Sequence, residues 1–348
     1  MYNSGSMETR KVQRLGPSTL AMTLPAEWAR QHGVKKGDEV TVRESSKGVL
    51  TITPESARKE ESEATIHIEG LDANAVERAI IGQYVLGRRI IHVTAEETLG
   101  SEHINAVYNA ETQLMGLGVI EETPERITIR CSVDPEDFSF DNLIERLEST
   151  GRTMRGEAMK AIAHDNLDLA ERALNRERQA NKIFVLLLRL IFTAYQNPSL
   201  ARAIGLEDGF PLIAYRSVAK NLELTADNAE DIAKICLDTE GHRLNVDSGT
   251  MREIREFTDE VNELTAMGVQ CAVERDYDLA IEVRDRFLEL NDREQELLHS
   301  LPEMDNEALL RVREGLVSLG QTAQYAVRNA EIATNLALNE ESEHVTIS

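Results

Sequence analysis

From Asp134 to the C-terminus apolar residues recur at a helical period of 3.6, and the pattern predicts six helices. They fall near 139–164, 166–196, 212–239, 248–274, 277–300 and 305–339. Pro198 and Pro211 bound one loop and Pro302 marks another. The six read as three plus three. Ala163-His-Asp165-Asn-Leu-Asp168-Leu-Ala170 returns 110 residues later as Val273-Glu-Arg-Asp276-Tyr-Asp278-Leu-Ala280, which points to an internal duplication. In each copy an Asp is expected to cap the second helix of its set.

Residues 64–132 follow a different rhythm. Ala64-Thr-Ile-His-Ile68 is strand-like, and Ala73 to Leu86 carries Val76, Ala79, Ile80 and Val85 at helical spacing. A strand Ile90–Val93, a helix from about Ser101 to Met115, and a hairpin of Val119-Ile120 with Ile127–Ile129 complete a small α/β domain. Such alternation favours a sheet covered by helices on one face. Gly116-Leu-Gly118 precedes a strand and not a helix, so no phosphate-binding loop is expected.

Residues 7–53 read as strand, turn, strand, short helix, turn and hairpin. Gly16-Pro17-Ser18 punctuates the first two runs, and Pro25 suits the first turn of a helix through Gln31 that Gly33 stops. Gly37-Asp38 leads into Glu39–Val42, and Lys47-Gly48 turns back into Val49–Thr53. So few core apolars make this module marginal alone, and a dimer sharing one core is the natural remedy. Polar residues 54–63 form a linker.

Composition sharpens this division. A length of 348 residues implies two or three domains, and 41% hydrophobic residues with 4% aromatics describe a folded, helix-rich protein. The net charge is −23, which argues against coating nucleic acid with the whole surface. Divided along the chain it becomes +3 over residues 1–53 and −26 over the rest, so the first module faces a different partner. Nine Lys beside 29 Arg and 61 carboxylates is the balance expected of a protein from a high-salt cytoplasm, a halophile, with an ordinary acidic cytosolic protein as the alternative.

Cys131, Cys236 and Cys271 are far apart and odd in number, so they suggest neither a disulfide framework nor a metal site. The first residues lack the order of a signal peptide. The longest apolar run, Ile183 to Phe192, is broken by Arg189 and is about half a bilayer span. A cytoplasmic protein without membrane insertion is expected.

The third predicted helix carries the candidate chemistry. Tyr215, Val218, Ala219, Leu222, Ala226, Ala229, Ile232, Ala233 and Cys236 form one apolar stripe facing a bundle core. Glu223, Asp227 and Glu230 lie together about 100° from its centre, and Glu223 and Asp227, one turn apart, can converge on a hard cation. The same pattern also suits a solvated acidic face, and Glu230 and Lys234 are spaced as a surface ion pair. None of the eight His is paired at a metal-ligand spacing, and no GxSxG context appears, so no enzyme is expected.

The segment Tyr215-Arg-Ser-Val-Ala-Lys-Asn-Leu-Glu223-Leu-Thr-Ala-Asp227-Asn-Ala-Glu-Asp-Ile-Ala233 resembles the third-helix signature of the PhoU family. Members are phosphate-uptake regulators built from two three-helix bundles, and the likeness spans residues 137–340, with repeats of about 137–240 and 247–340. In that family an E(D)xxxD pattern supplies carboxylates to iron or other metal clusters. The resemblance therefore implies iron or another divalent cation at Glu223, Asp227 and Glu230. In the second repeat Gly320 and Gln324 stand where the acidic pair is expected, which puts a second cluster in doubt.

The first module resembles the AbrB/SpoVT family of swapped-hairpin dimers that bind DNA. Val12-Gln-Arg14-Leu-Gly16-Pro-Ser18-Thr-Leu-Ala-Met-Thr23-Leu24-Pro25-Ala-Glu-Trp28-Ala and Gly33-Val-Lys-Lys-Gly37-Asp38-Glu-Val40 carry the likeness. Basic residues on and near the first strand face DNA in that family, which implies this role for Arg10, Lys11 and Arg14. Strand alternation would put Arg10 and Arg14 on one face and Lys11 on the other.

The order of modules is similar to that of archaeal, and with this acidity haloarchaeal, phosphate-uptake regulators. The reading is a homodimeric, DNA-binding transcriptional regulator of phosphate uptake that binds a pseudo-palindromic operator. Its bundles sense phosphate status through a metal or a partner. The alternative is an interaction protein that restrains a phosphate transporter or a signalling kinase without binding DNA.

Overall fold

The computed structural model describes residues 9–44, 48–54, 62–164, 166–207, 209–237, 246–301, 306–339 and 345–346. Residues 7–8, the turn residue Lys47, linker positions 55–61, Asp165, helix positions 238–239, Pro302 and helix position 305 lie outside them. The chain divides into two compact units, Met1–Ser62 and Glu63–Ser348, each taken by itself below.

In the first unit β1 (Gln13–Arg14) pairs antiparallel with β2 (Leu20–Ala21), and the Leu15 amide closes the turn on the Thr19 carbonyl at 3.0 Å. The expected runs shrink to two residues each. Helix α1 (Ala26–Gln31) starts after Pro25, whose ring holds φ at −58°. It ends where Gly33 adopts φ +66°, a left-handed conformation that costs a glycine little. The hairpin β3 (Val40–Glu44) with β4 (Leu50–Pro54) follows. Helix α1 buries none of its residues, and among the described residues of this unit only Pro54 is buried.

The second unit opens with β5 (Glu63–His67), α2 (Ala73–Val85), β6 (Ile90–Thr94), α3 (Ser101–Gln113), β7 (Leu117–Glu122) and β8 (Arg126–Cys131). The strand order is β5-β6-β8-β7, with β5 and β6 parallel across α2 and the other pairs antiparallel. Ile66, Ile91, Val93, Ile127 and Ile129 line the buried face, in one core with Val76, Ile80 and Val107 of the two helices. Thr65, His67, His92, Thr94, Arg126 and Thr128 alternate onto the other face, where Thr128 Oγ1 accepts from Arg126 Nε and donates to Glu121.

The rest is helical: α4 (Phe140–His164), α5 (Leu167–Gln196), the short α6 (Pro198–Ala203), α7 (Phe210–Leu237), α8 (Ser248–Glu274), α9 (Tyr277–Ser300) and α10 (Asn306–Ala337). Helices α4, α5 and α7 pack as one three-helix bundle and α8, α9 and α10 as another, joined along α7–α10 and α4–α8. Among the described residues no helix is long and apolar enough to cross a membrane. The cap of α5 is Asn166, which accepts from the Leu169 amide, where an Asp was expected. Asp276 caps α9 in the corresponding place.

The two bundles share a local symmetry at their seam. Asn221 donates to Asn329 at 2.8 Å and Asn228 donates to Thr322 at 3.2 Å, both pairs buried between α7 and α10. Asn329 follows Asn228, and Thr322 follows Asn221, by the same 101 positions, so the two residue pairs are images of one another under exchange of the repeats, with α7 the donor in both. Gly268 lets α8 approach α10 closely, because a Cβ there would stand 2.8 Å from the Ala326 carbonyl oxygen.

Candidate functional site

Two places gather the residues singled out in the sequence. In the N-terminal unit Arg10, Lys11 and Arg14 are all exposed. Of the three, Arg14 lies in a strand, whereas Arg10 and Lys11 precede β1, so pleat alternation does not assign their faces. Arg14 Nη1 donates to the Pro17 carbonyl at 3.0 Å, which commits one of the guanidinium donors to holding the β1–β2 turn.

Around these cations the unit exposes apolar side chains that a lone domain would bury. Val12 is 61% exposed, Leu15 73%, Leu20 64%, Val42 56%, Val49 58% and Leu50 60%. Large exposed apolar surface marks a place where another protein surface belongs.

The second place is the face of α7 beside its buried stripe. Every residue of the predicted stripe, from Tyr215 to Cys236, is buried. Glu223, Asp227 and Glu230 stand together on the flank, half-buried. Burial, with Glu223 the largest of the neighbouring carboxylates, pushes the Asp227 carboxyl up to about 6, against the pull of Lys220. Glu230 takes Lys234 at 2.8 Å, as its spacing predicts.

Two partners were not read from the sequence. Lys220 bonds Glu223 and lies over the Phe184 ring, 5.5 Å from its centre. An i,i+3 spacing on one helix could have revealed the ion pair. Glu177 on α5 faces the same patch, and its carboxyl is raised by burial first and then by Glu230 and Asp227. Only the packing of α5 on α7 brings it there, which no local pattern encodes.

The donor set is all carboxylate oxygen, the chemistry of a hard cation. The arrangement does not fit a metal centre as it stands. Lysines hold Glu223 and Glu230, and among the described residues no group of three or more His, Cys, Asp or Glu comes together to hold an ion.

The symmetry of the α7–α10 seam also revises the second repeat. With Asn329 as the image of Asn228, the images of Glu223 and Asp227 are Gln324 and Arg328, not Gly320 and Gln324. Arg328 stacks over Tyr325 at 4.8 Å, so a cation stands where the first repeat has its raised aspartate. Gly320 has another role: Glu294 of α9 lies against it, in space that any side chain there would fill.

Comparison with known proteins agrees with this division. Residues 13–60 match the family described as antidote-toxin recognition MazE, bacterial antitoxin. Residues 144–236 match the PhoU domain. A crystal structure of PhoU from Pseudomonas aeruginosa is similar over 57% of this chain and 94% of that chain, at 16% identity and a TM-score of 0.46. No curated protein matches the chain. The chain thus carries a segment similar to a MazE-type antitoxin domain at its N-terminus and one similar to the PhoU domain in the first of its helical bundles.

Proposed function

We propose that the protein is a homodimeric, DNA-binding regulator of phosphate uptake, in which the N-terminal unit contacts an operator and the helical bundles receive the phosphate signal. The observation that carries this reading is the N-terminal unit itself: exposed basic residues on a module whose apolar side chains Leu15, Leu20 and Leu50 remain outside. A second copy would cover that apolar surface, and two copies would present Arg10 and Arg14 twice, as paired half-sites require. The matches to a MazE-type segment and to the PhoU domain support the two halves of the proposal.

One observation favours a second reading. The matched N-terminal family is named for recognition of a toxin, a protein and not DNA. In that reading the unit serves association, and the bundles restrain a phosphate transporter or a signalling kinase. Deleting residues 1–53 separates the two. A DNA regulator loses operator binding, whereas a restrainer keeps its effect on uptake once dimerisation is supplied artificially.

A further inference from the structure

Arg189 lies in the middle of the apolar run of α5 and is only 2% exposed. A guanidinium in such a place must find acceptors. Its Nη1 donates to the Tyr84 carbonyl and, at 3.1 Å, to the Arg88 carbonyl, while Nη2 reaches the Gly87 carbonyl at 3.3 Å. The same group stacks over the Tyr84 ring at 4.8 Å. The Tyr84 carbonyl belongs to the last turn of α2 and the Gly87 and Arg88 carbonyls to the residues just past its C-cap Leu86, so the cation sits at the negative end of a helix dipole.

The neighbours of Arg189 on α5 complete the joint. One turn on, Thr193 Oγ1 occupies the space beside Gly87, where a Cβ would stand 3.0 Å from it. Gln196 Nε2 donates to the Leu86 carbonyl at 3.4 Å. Three successive turns of one bundle helix thus hold the end of one helix of the α/β domain. On the sheet side Tyr84 is itself fixed, its hydroxyl donating to the Met115 carbonyl at 2.9 Å ahead of β7.

Helix α5 also reaches the acidic patch. Glu177, which faces Asp227 and Glu230, lies on the same helix about 18 Å before Arg189, at 1.5 Å per residue. We propose that α5 is a coupling rod: Arg189 pins the end of α2 to it, so that a shift of α5 against α7 is delivered to the α/β domain. This gives residues 63–131 a role as the arm that reports the state of the first bundle. Arg189 is a positioning residue here.

The test is a double-mutant cycle read by hydrogen exchange on the full-length protein. The reporters are the Leu86, Gly87 and Arg88 amides, which bond Gly82, Tyr84 and Gln83 in the last turn of α2. Arg189→Met is expected to speed their exchange about tenfold, with little change in α7. Glu177→Gln, which relieves repulsion at the far end of the rod, is expected to change the same amides when Arg189 is present and to leave them unchanged in Arg189→Met. A purely structural role for Arg189 predicts equal effects of Glu177→Gln in both backgrounds. That result, or unaltered exchange in Arg189→Met, overturns the proposal. If Arg189→Met does not fold, Arg189→Lys takes its place in the cycle. It keeps the charge and stem but loses the fork, and the same two outcomes decide.

Discussion

Asn221 donates a buried hydrogen bond to Asn329 across the α7–α10 seam, and Asn329 is the image, in the second repeat, of Asn228 and not of Asn221. The first repeat thus supplies both donors, from α7, and the second both acceptors, from α10, and the two pairs together fix the register of the bundles. Removing one partner should cost more than removing both. Asn221→Leu is expected to lose about 1–3 kcal/mol in denaturant unfolding because Asn329 is stranded, and Asn221→Leu/Asn329→Leu should recover most of the loss. A double variant as unstable as the sum of its singles would refute a register pair.

Asp227 gives a pH signature of definite sign. Its pKa in the folded protein is raised from 3.8 to about 6, chiefly by burial. Below about pH 4 both states hold the proton and no penalty exists. Between about pH 4 and 6 the unfolded chain ionises first, so this residue makes the protein progressively less stable as pH rises. Asp227→Asn is expected to flatten stability across that window and to raise Tm at neutral pH, and thermal scans at pH 4, 5, 6 and 7 measure it. A variant with the same pH slope as wild type would show that Asp227 does not titrate there.

The same patch makes a prediction about cations. A divalent ion must compete with Lys220 for Glu223, so affinity is expected to be weak in wild type and to increase in Lys220→Met. Glu223→Gln/Asp227→Asn should abolish it. Elemental analysis after loading with iron or manganese checks each variant, and unchanged metal content in the double variant removes the site.

The N-terminal unit predicts an association state. Leu20 and Leu50 are 64% and 60% exposed, and each lies on a different hairpin. Leu20→Glu/Leu50→Glu is expected to convert a dimer to a monomer in sedimentation velocity, while the helical signal in circular dichroism stays unchanged. An unaltered sedimentation coefficient would place the dimer contact elsewhere.

The helical half was legible because its periodicity is long. Predicted ranges such as 248–274 and 277–300 coincide with α8 and α9, and 139–164 falls within one residue of α4. Non-local placement was not legible. Nothing in the pattern said that β8 would insert between β6 and β7, or that Glu177 would face Asp227. The buried Asn221, Thr225 and Asn228 interrupt the polar side of α7 because that side faces the other repeat, which a one-helix pattern cannot reveal. The shift from Gly320 to Gln324 as the image of Glu223 has a related cause. Pairing Glu223 with Gly320 is an offset of 97 residues, whereas the seam sets 101, so matching the two helices by local sequence slid the register by four positions, about one helical turn.

The central claim, that the N-terminal unit contacts DNA through its basic residues, is tested most directly by fluorescence anisotropy. Operator DNA is titrated with wild type and Arg10→Ala/Arg14→Ala over a salt series. Each phosphate contact contributes about 0.9 to the slope of log K against log salt, so the double variant is expected to bind more weakly, with a slope shallower by up to about two per chain. A variant that binds with wild-type affinity and wild-type slope would contradict the assignment.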